Sequence, residues 1–310
     1  MKAKKIIKIA GTVITAAAMV FVVKKLFSMD ISAEQFRSSE VIAATGICFV
    51  IQTVIIIFSC FPWLVFTESL SGRKIPFSAA MPVYTRSNLY KYVPGNVFQY
   101  IGRNQLAADM DISHVDVACA TVLDVFFCVF WTGIIAVIAL RRSIDVLLEA
   151  YGKNLIITAA VGIAAAAAAA VVLILKFRKK LTEYLSRYKK AFEKQSRSRL
   201  IKGIVYYFFQ NAVSAGMYLV CMKLIMPDDT SNSMLIILTG AFMFSWIIGF
   251  VTPGAPGGIG IRESVMIYMC GSESDVILFV LVMRIASVLA DVAAFLIGTL
   301  YSIMKKNKTA

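Results

Sequence analysis

Histidine occurs once in the 310 residues, as His114, and charged residues of both signs make up only 16% of the chain. A lone histidine, with Asp111 and Asp116 nearby but no second nitrogen ligand, supports neither a zinc site nor a histidine-based catalytic triad. The six cysteines, Cys48, Cys60, Cys119, Cys128, Cys221 and Cys270, are scattered through apolar stretches without a Cys-Xaa-Xaa-Cys pair. They read as small buried hydrophobes, not as a disulfide frame or a metal cage. The glycines between Gly254 and Gly260 lack a preceding strand and a Gly-Lys-Ser/Thr ending, which excludes a P-loop and a dinucleotide fingerprint. No catalytic residue, metal or cofactor is therefore expected. Long polar stretches are missing too: none exceeds about 30 residues, too few for a second soluble domain.

What the chain has is apolar sequence. Hydrophobic residues reach 59%, and the mean hydropathy is +0.77. A soluble protein averages about 45–50% apolar and about 25% charged residues, so the composition is that of an integral membrane protein. Apolar runs cover Ile6 to Phe27, Val41 to Phe66, Val117 to Leu140, Leu155 to Leu175, Gly203 to Met226, Met234 to Val251 and Val276 to Met304. The first is too long for a signal peptide and has no persuasive cleavage site, so it counts as a span. The alanine-rich stretch Gly162 to Ala170 reads as a smooth face for close helix packing.

Two segments break the pattern. Residues 76–110 contain Pro82, Pro94, Gly95, Gly102 and several charges, and residues 234–270 are interrupted by Thr252-Pro-Gly-Ala-Pro-Gly-Gly-Ile-Gly260. Backbone interrupted at membrane depth survives only where protein or a wet cavity covers it, so both are read as re-entrant broken hairpins. They match each other: Pro94 precedes Arg103 by nine residues, Pro253 precedes Arg262 by nine, and the copies stand 159 residues apart. The same offset carries Val117 onto Val276 and Phe49 onto Phe208. The expected architecture is an all-α polytopic membrane protein, a single domain over 1–310, with about six transmembrane helices, two hairpins and an inverted internal repeat of 1–150 on 151–310.

Charge placement orients it. The net charge is +14, and eleven Lys/Arg lie between Lys176 and Lys202 against only Glu183 and Glu193. A basic loop between apolar spans is topogenic and attracts anionic headgroups; nucleic acid is not an expected partner. With both hairpins returning to their side of entry, 23 Lys/Arg fall inside and six outside, which places both termini in the cytoplasm.

Charges within the membrane are rare and mark function or pairing. Here they are Asp124, Arg284 and Asp291 inside spans, with Arg103, Arg262 and Glu263 beside the hairpin breaks. Asp124 and Arg284 hold nearly equivalent places in the two repeats and are expected to pair, while Asp291 reads as a polar packing residue. A half-helix starting among Gly257, Gly258 and Gly260 offers free backbone N–H groups to an anion. Arg262 adds a guanidinium fork, and Glu263 either orients it or binds a cationic group of a lipid. Arg103, with Asn96, Gln99 and Tyr100, is the counterpart from the other hairpin. The aromatic run Tyr206-Tyr207-Phe208-Phe209 reads as an interfacial belt.

The segments Lys91-Tyr-Val-Pro-Gly-Asn-Val-Phe-Gln-Tyr-Ile-Gly-Arg103 and Thr252-Pro-Gly-Ala-Pro-Gly-Gly-Ile-Gly-Ile-Arg-Glu263, together with Leu123-Asp124 and Met283-Arg284, resemble the flippase-like transmembrane region of the lysylphosphatidylglycerol synthase family. The resemblance covers essentially the whole chain. It implies movement of an aminoacylated phospholipid to the outer leaflet, a function linked to resistance against antimicrobial peptides. Two-domain members add an aminoacyltransferase domain. This chain stops six residues after its last apolar run, so no such domain, and no enzyme activity of that kind, is expected in it. The expected function is a flippase of the cell membrane whose cargo is an anionic or aminoacylated phospholipid or a polyprenyl-phosphate-linked lipid. The alternative is a non-transporting subunit that anchors or regulates a lipid- or glycan-modifying enzyme through the basic loop.

Overall fold

The structure, a computed structural model, describes residues 37–93, 98–141, 194–226, 230–251, 256–271 and 274–309. The expected spans at 6–27 and 155–175, the alanine run, most of the basic loop and Asn96 lie outside these residues. Among the described residues every regular element is helical, and the chain is an all-α polytopic membrane protein.

In order, the helices are α1 (Ser39–Phe58), α2 (Cys60–Ser71), α3 (Phe77–Asn88), α4 (Phe98–Leu106), α5 (His114–Leu140), α6 (Lys194–Ile225), α7 (Asn232–Val251), α8 (Ile261–Cys270) and α9 (Ser274–Thr309). Five stretches are long and apolar enough to cross a membrane: Ser39–Ser71, which joins α1 to α2, and those in α5, α6, α7 and α9. Local sequence explains the ends. Ser38 caps α1 by accepting the Val41 N–H at 3.2 Å, and Ser113 does the same for α5 through the Val115 N–H at 3.3 Å. Gly72, at φ 70°, closes α2, a left-handed position that glycine adopts without a Cβ clash.

Hydroxyls on the spans bond back to their own helix. Thr45, Thr53, Thr67, Thr121, Thr132 and Thr239 each donate to the carbonyl four residues earlier, at 2.7–2.9 Å. In lipid such a group has no water to bond, so the backbone itself satisfies it. Val122, Phe126, Phe130 and Val137 of α5 are exposed, as a lipid-facing stripe must be.

The two hairpins differ in reach. The first consists of α3 and α4, 12 and 9 residues long; the second of α7 and α8, 20 and 10. At 1.5 Å per residue only α7 spans about 30 Å, so the second hairpin is the longer of the two. Around them α9 packs on α1 and α3, α5 on α2 and α7, and α6 on α1 and α2. Two apolar clusters fill the interior, one around Trp63, Phe66, Tyr84 and Tyr207, the other around Met222, Met243, Phe279 and Met283. Tyr84 and Tyr207 of the first and Met243 and Met283 of the second line one cavity together with buried charges.

Candidate functional site

A cavity of about 230 Å³ sits where the hairpins meet, lined by α1, α3–α9 and the turn before α8. It gathers Gln99, Tyr100, Arg103, Asp124, Gly257, Gly258, Arg262, Glu263, Arg284 and Asp291, ten of the candidate site residues singled out from sequence. Gly260 lies just outside the lining, at the start of α8.

The first hairpin's arginine is fully engaged. Arg103, 2% exposed, donates from Nη1 to Asp124 Oδ2 at 2.9 Å and from Nε to Ser87 Oγ at 3.3 Å. Its guanidinium stacks over Tyr84, with Cζ 3.8 Å from the ring centroid, and lies 5.7 Å from that of Trp63. Asp124 also accepts from Tyr84 Oη at 3.3 Å and from Tyr207 Oη. Desolvated charges survive when paired and hydrogen-bonded on every side, and this pair is. The approach of the two hairpin arms is equally tight: a Cβ on Gly102 would come 2.2 Å from Tyr90 Cδ2.

The second hairpin's arginine is not so engaged. Arg262 has its Nε buried without a hydrogen-bond partner, and its guanidinium carbon lies 5.6 Å from the Trp246 ring centroid. No carboxylate among the described residues pairs with it. Gly258, at φ +72°, makes its room: a Cβ there would stand 2.7 Å from Arg262 Nε and 3.0 Å from the Gly249 backbone. Arg284, 7% exposed, donates from Nη1 to the Gly257 carbonyl at 3.1 Å. Its Nε lies 3.5 Å from Glu263 Oε1, and neither Nε nor Nη2 has a hydrogen-bond partner.

A third group joins the first hairpin to α9. Asp291, 1% exposed, accepts from Asn88 Nδ2 at 2.7 Å, Lys91 Nζ at 2.7 Å and Tyr92 Oη at 2.6 Å. It anchors the end of the first hairpin's leading arm to α9.

Three expectations change. Asp124 does not pair with Arg284; its partner is Arg103, and Arg284 faces Glu263. The repeat offset carries Asp124 onto Met283, so Arg284 stands one residue, about 100° of helix rotation, away from the equivalent place. Glu263 orients Arg284 and not Arg262, and its Oε2 accepts the Gly260 N–H at 2.7 Å. The start of α8 is thus answered by the chain's own carboxylate, as in a capping box. Tyr207 is buried on Asp124 while Phe208 and Phe209 face outward, so the aromatic run is a belt on one side only.

Sequence reasoning missed Tyr84, Asn88, Lys91, Tyr92, Tyr207 and Trp246. For three of them a signal existed: Asn88, Lys91 and Tyr92 follow the i, i+3, i+4 spacing of one helix face.

A helical, multi-pass membrane protein with an ionic cavity between two broken hairpins is the class that fold and site define. Over residues 8–294 the chain matches the family described as the lysylphosphatidylglycerol synthase TM region, and it belongs to that family. No curated protein and no solved structure matches it.

Proposed function

We propose that the chain is a lipid translocase, which moves a lipid with an anionic headgroup between the leaflets of the cell membrane. The headgroup enters the cavity and the acyl or prenyl chains stay in the bilayer. The observation that carries this reading is the balance of charge. Among the described residues Asp124, Asp291 and Glu263 are each matched by a cation, and Arg262 is left over. A desolvated cation without a counter-ion is expensive; an anionic ligand completes it.

Size supports the same reading. At about 230 Å³ the cavity is smaller than the about 300–1,000 Å³ of drug-sized sites, room for a headgroup and not for a whole lipid. Supporting it as well is the element order: a long helix, a broken hairpin and a long helix occur twice, in α1–α5 and α6–α9. Inverted halves that rock about a midplane site are the transporter solution to alternating access. Under this reading the contacts of Tyr207 with Asp124, Lys91 with Asp291 and Gln52 with Tyr218 link the halves in one state and exchange as they rock. Both termini are then cytoplasmic, by the excess of Lys/Arg on that side.

Reconstitution into liposomes carrying fluorescent phosphatidylglycerol, lysyl-phosphatidylglycerol or a short polyprenyl phosphate, with a leaflet-specific quencher, tests the proposal. Wild type accelerates quenching of at least one lipid, and Arg262→Ala loses that acceleration while staying folded. Folded wild type that accelerates none overturns the reading in favour of a subunit that anchors a lipid- or glycan-modifying enzyme.

A further inference from the structure

We infer that the headgroup taken by the cavity carries a single negative charge, as a phosphodiester, seated between Arg262 and Arg284. The inference rests on the proposed function for the route the lipid takes, but its binding chemistry stands on the cavity alone.

Among the described residues the charged lining has four cations and three anions. Lys91 pairs with Asp291 at 2.7 Å, Arg103 with Asp124 at 2.9 Å and Arg284 with Glu263 at 3.5 Å. The hairpin turns at residues 94–97 and 252–255 contain no ionisable side chain, so they do not alter the count. A monoanion brings the cavity to neutrality. A dianionic phosphomonoester leaves one buried negative charge, and a zwitterionic or cationic headgroup leaves one or two positive charges. At low dielectric an uncompensated buried charge stays costly even after the protein relaxes around it, so the count selects.

The free donors sit where the surplus is. Arg262 Nε and Arg284 Nε and Nη2 are buried without hydrogen-bond partners. Buried donors are satisfied in nearly every native protein, so these point to a ligand. The two nonbridging oxygens of a phosphodiester share one charge and accept from both guanidinium groups. The same chemistry occurs in a glycerophospholipid and in a prenyl phosphoryl sugar, and the experiment separates the two.

Trp246 reports on the site because Arg262 lies over its ring. Full-length protein in detergent is titrated at pH 8, where a phosphomonoester with its second pKa near about 6 is a dianion. The probes are dihexanoyl phosphatidylglycerol, its lysyl ester, dihexanoyl phosphatidylcholine, dihexanoyl phosphatidic acid and a short prenyl phosphoryl hexose. Tryptophan emission is read in wild type, with Trp246→Phe as the control that removes the signal.

The monoanionic diesters are expected to bind at least tenfold more tightly than the other three, and the tighter of the two names the source. Arg262→Gln is expected to erase that margin. Glu263→Gln, which releases Arg284 from its counter-ion, is expected to shift preference toward phosphatidic acid. Equal binding of all probes, or tightest binding of phosphatidic acid or the lysyl ester by wild type, overturns the inference. So does a ranking unchanged in Arg262→Gln. Selective binding of a diester by protein that moves no lipid in liposomes overturns the translocase reading and leaves the charge rule standing.

Discussion

Arg103 and Arg262 occupy matching places in the two hairpins, 159 residues apart, yet their surroundings differ. Around Arg103 the chain supplies a carboxylate, a serine hydroxyl and two aromatic faces, and Asp124 in turn takes two tyrosine hydroxyls. Around Arg262 it supplies Trp246, the glycines that make room, and a second arginine whose own carboxylate is shared with the start of α8. A repeated motif has thus become a structural joint in one copy and an open charge in the other. Matching sequence position does not make the two arginines equivalent in role.

Substitutions separate the two sides. The largest effect belongs to Arg103→Ala, which strands Asp124 in the interior. Breaking a buried pair from one side costs about 3–5 kcal/mol, read as earlier unfolding in mixed SDS micelles. Gly102→Ala comes next, because its Cβ meets Tyr90 Cδ2 at 2.2 Å; overpacking of this kind costs about 1–3 kcal/mol in the same assay. Lys91→Met leaves Asp291 with Asn88 and Tyr92 as donors. The lysine side chain is 26% exposed, so the loss is about 1–2 kcal/mol, accompanied by slower lipid exchange. Arg262→Gln removes a buried charge that has no counter-ion among the described residues, so stability is unchanged or raised while exchange in liposomes falls to background. Arg73→Ala, which breaks an exposed pair with Asp111, alters neither readout, since surface pairs contribute little.

Much of this was legible in the chain itself. The span-length apolar runs, the two breaks and their common offset follow from hydropathy and from proline and glycine, and the charges beside the breaks do gather at one cavity. Pairing was not legible. Repeat position suggested Asp124 with Arg284, but which carboxylate a guanidinium meets depends on a rotation of one residue, about 100°. That detail emerges only when α4 is packed against α5. Tyr207 was hidden for a similar reason: within four consecutive aromatics, composition describes a belt, and only the facing of α6 turns one hydroxyl inward to Asp124. Glu263 looked like a ligand group because it follows Arg262 directly, whereas its position in the first turn of α8 brings it to the Gly260 N–H and to Arg284.

The most direct measurement sets unfolding in SDS against leaflet exchange for Arg103→Ala and Arg262→Ala in parallel. The difference between the two arginines predicts that Arg103→Ala unfolds well before wild type, whereas Arg262→Ala unfolds no earlier than wild type while exchange disappears. Equal unfolding of both variants, or undiminished exchange by Arg262→Ala, would contradict it.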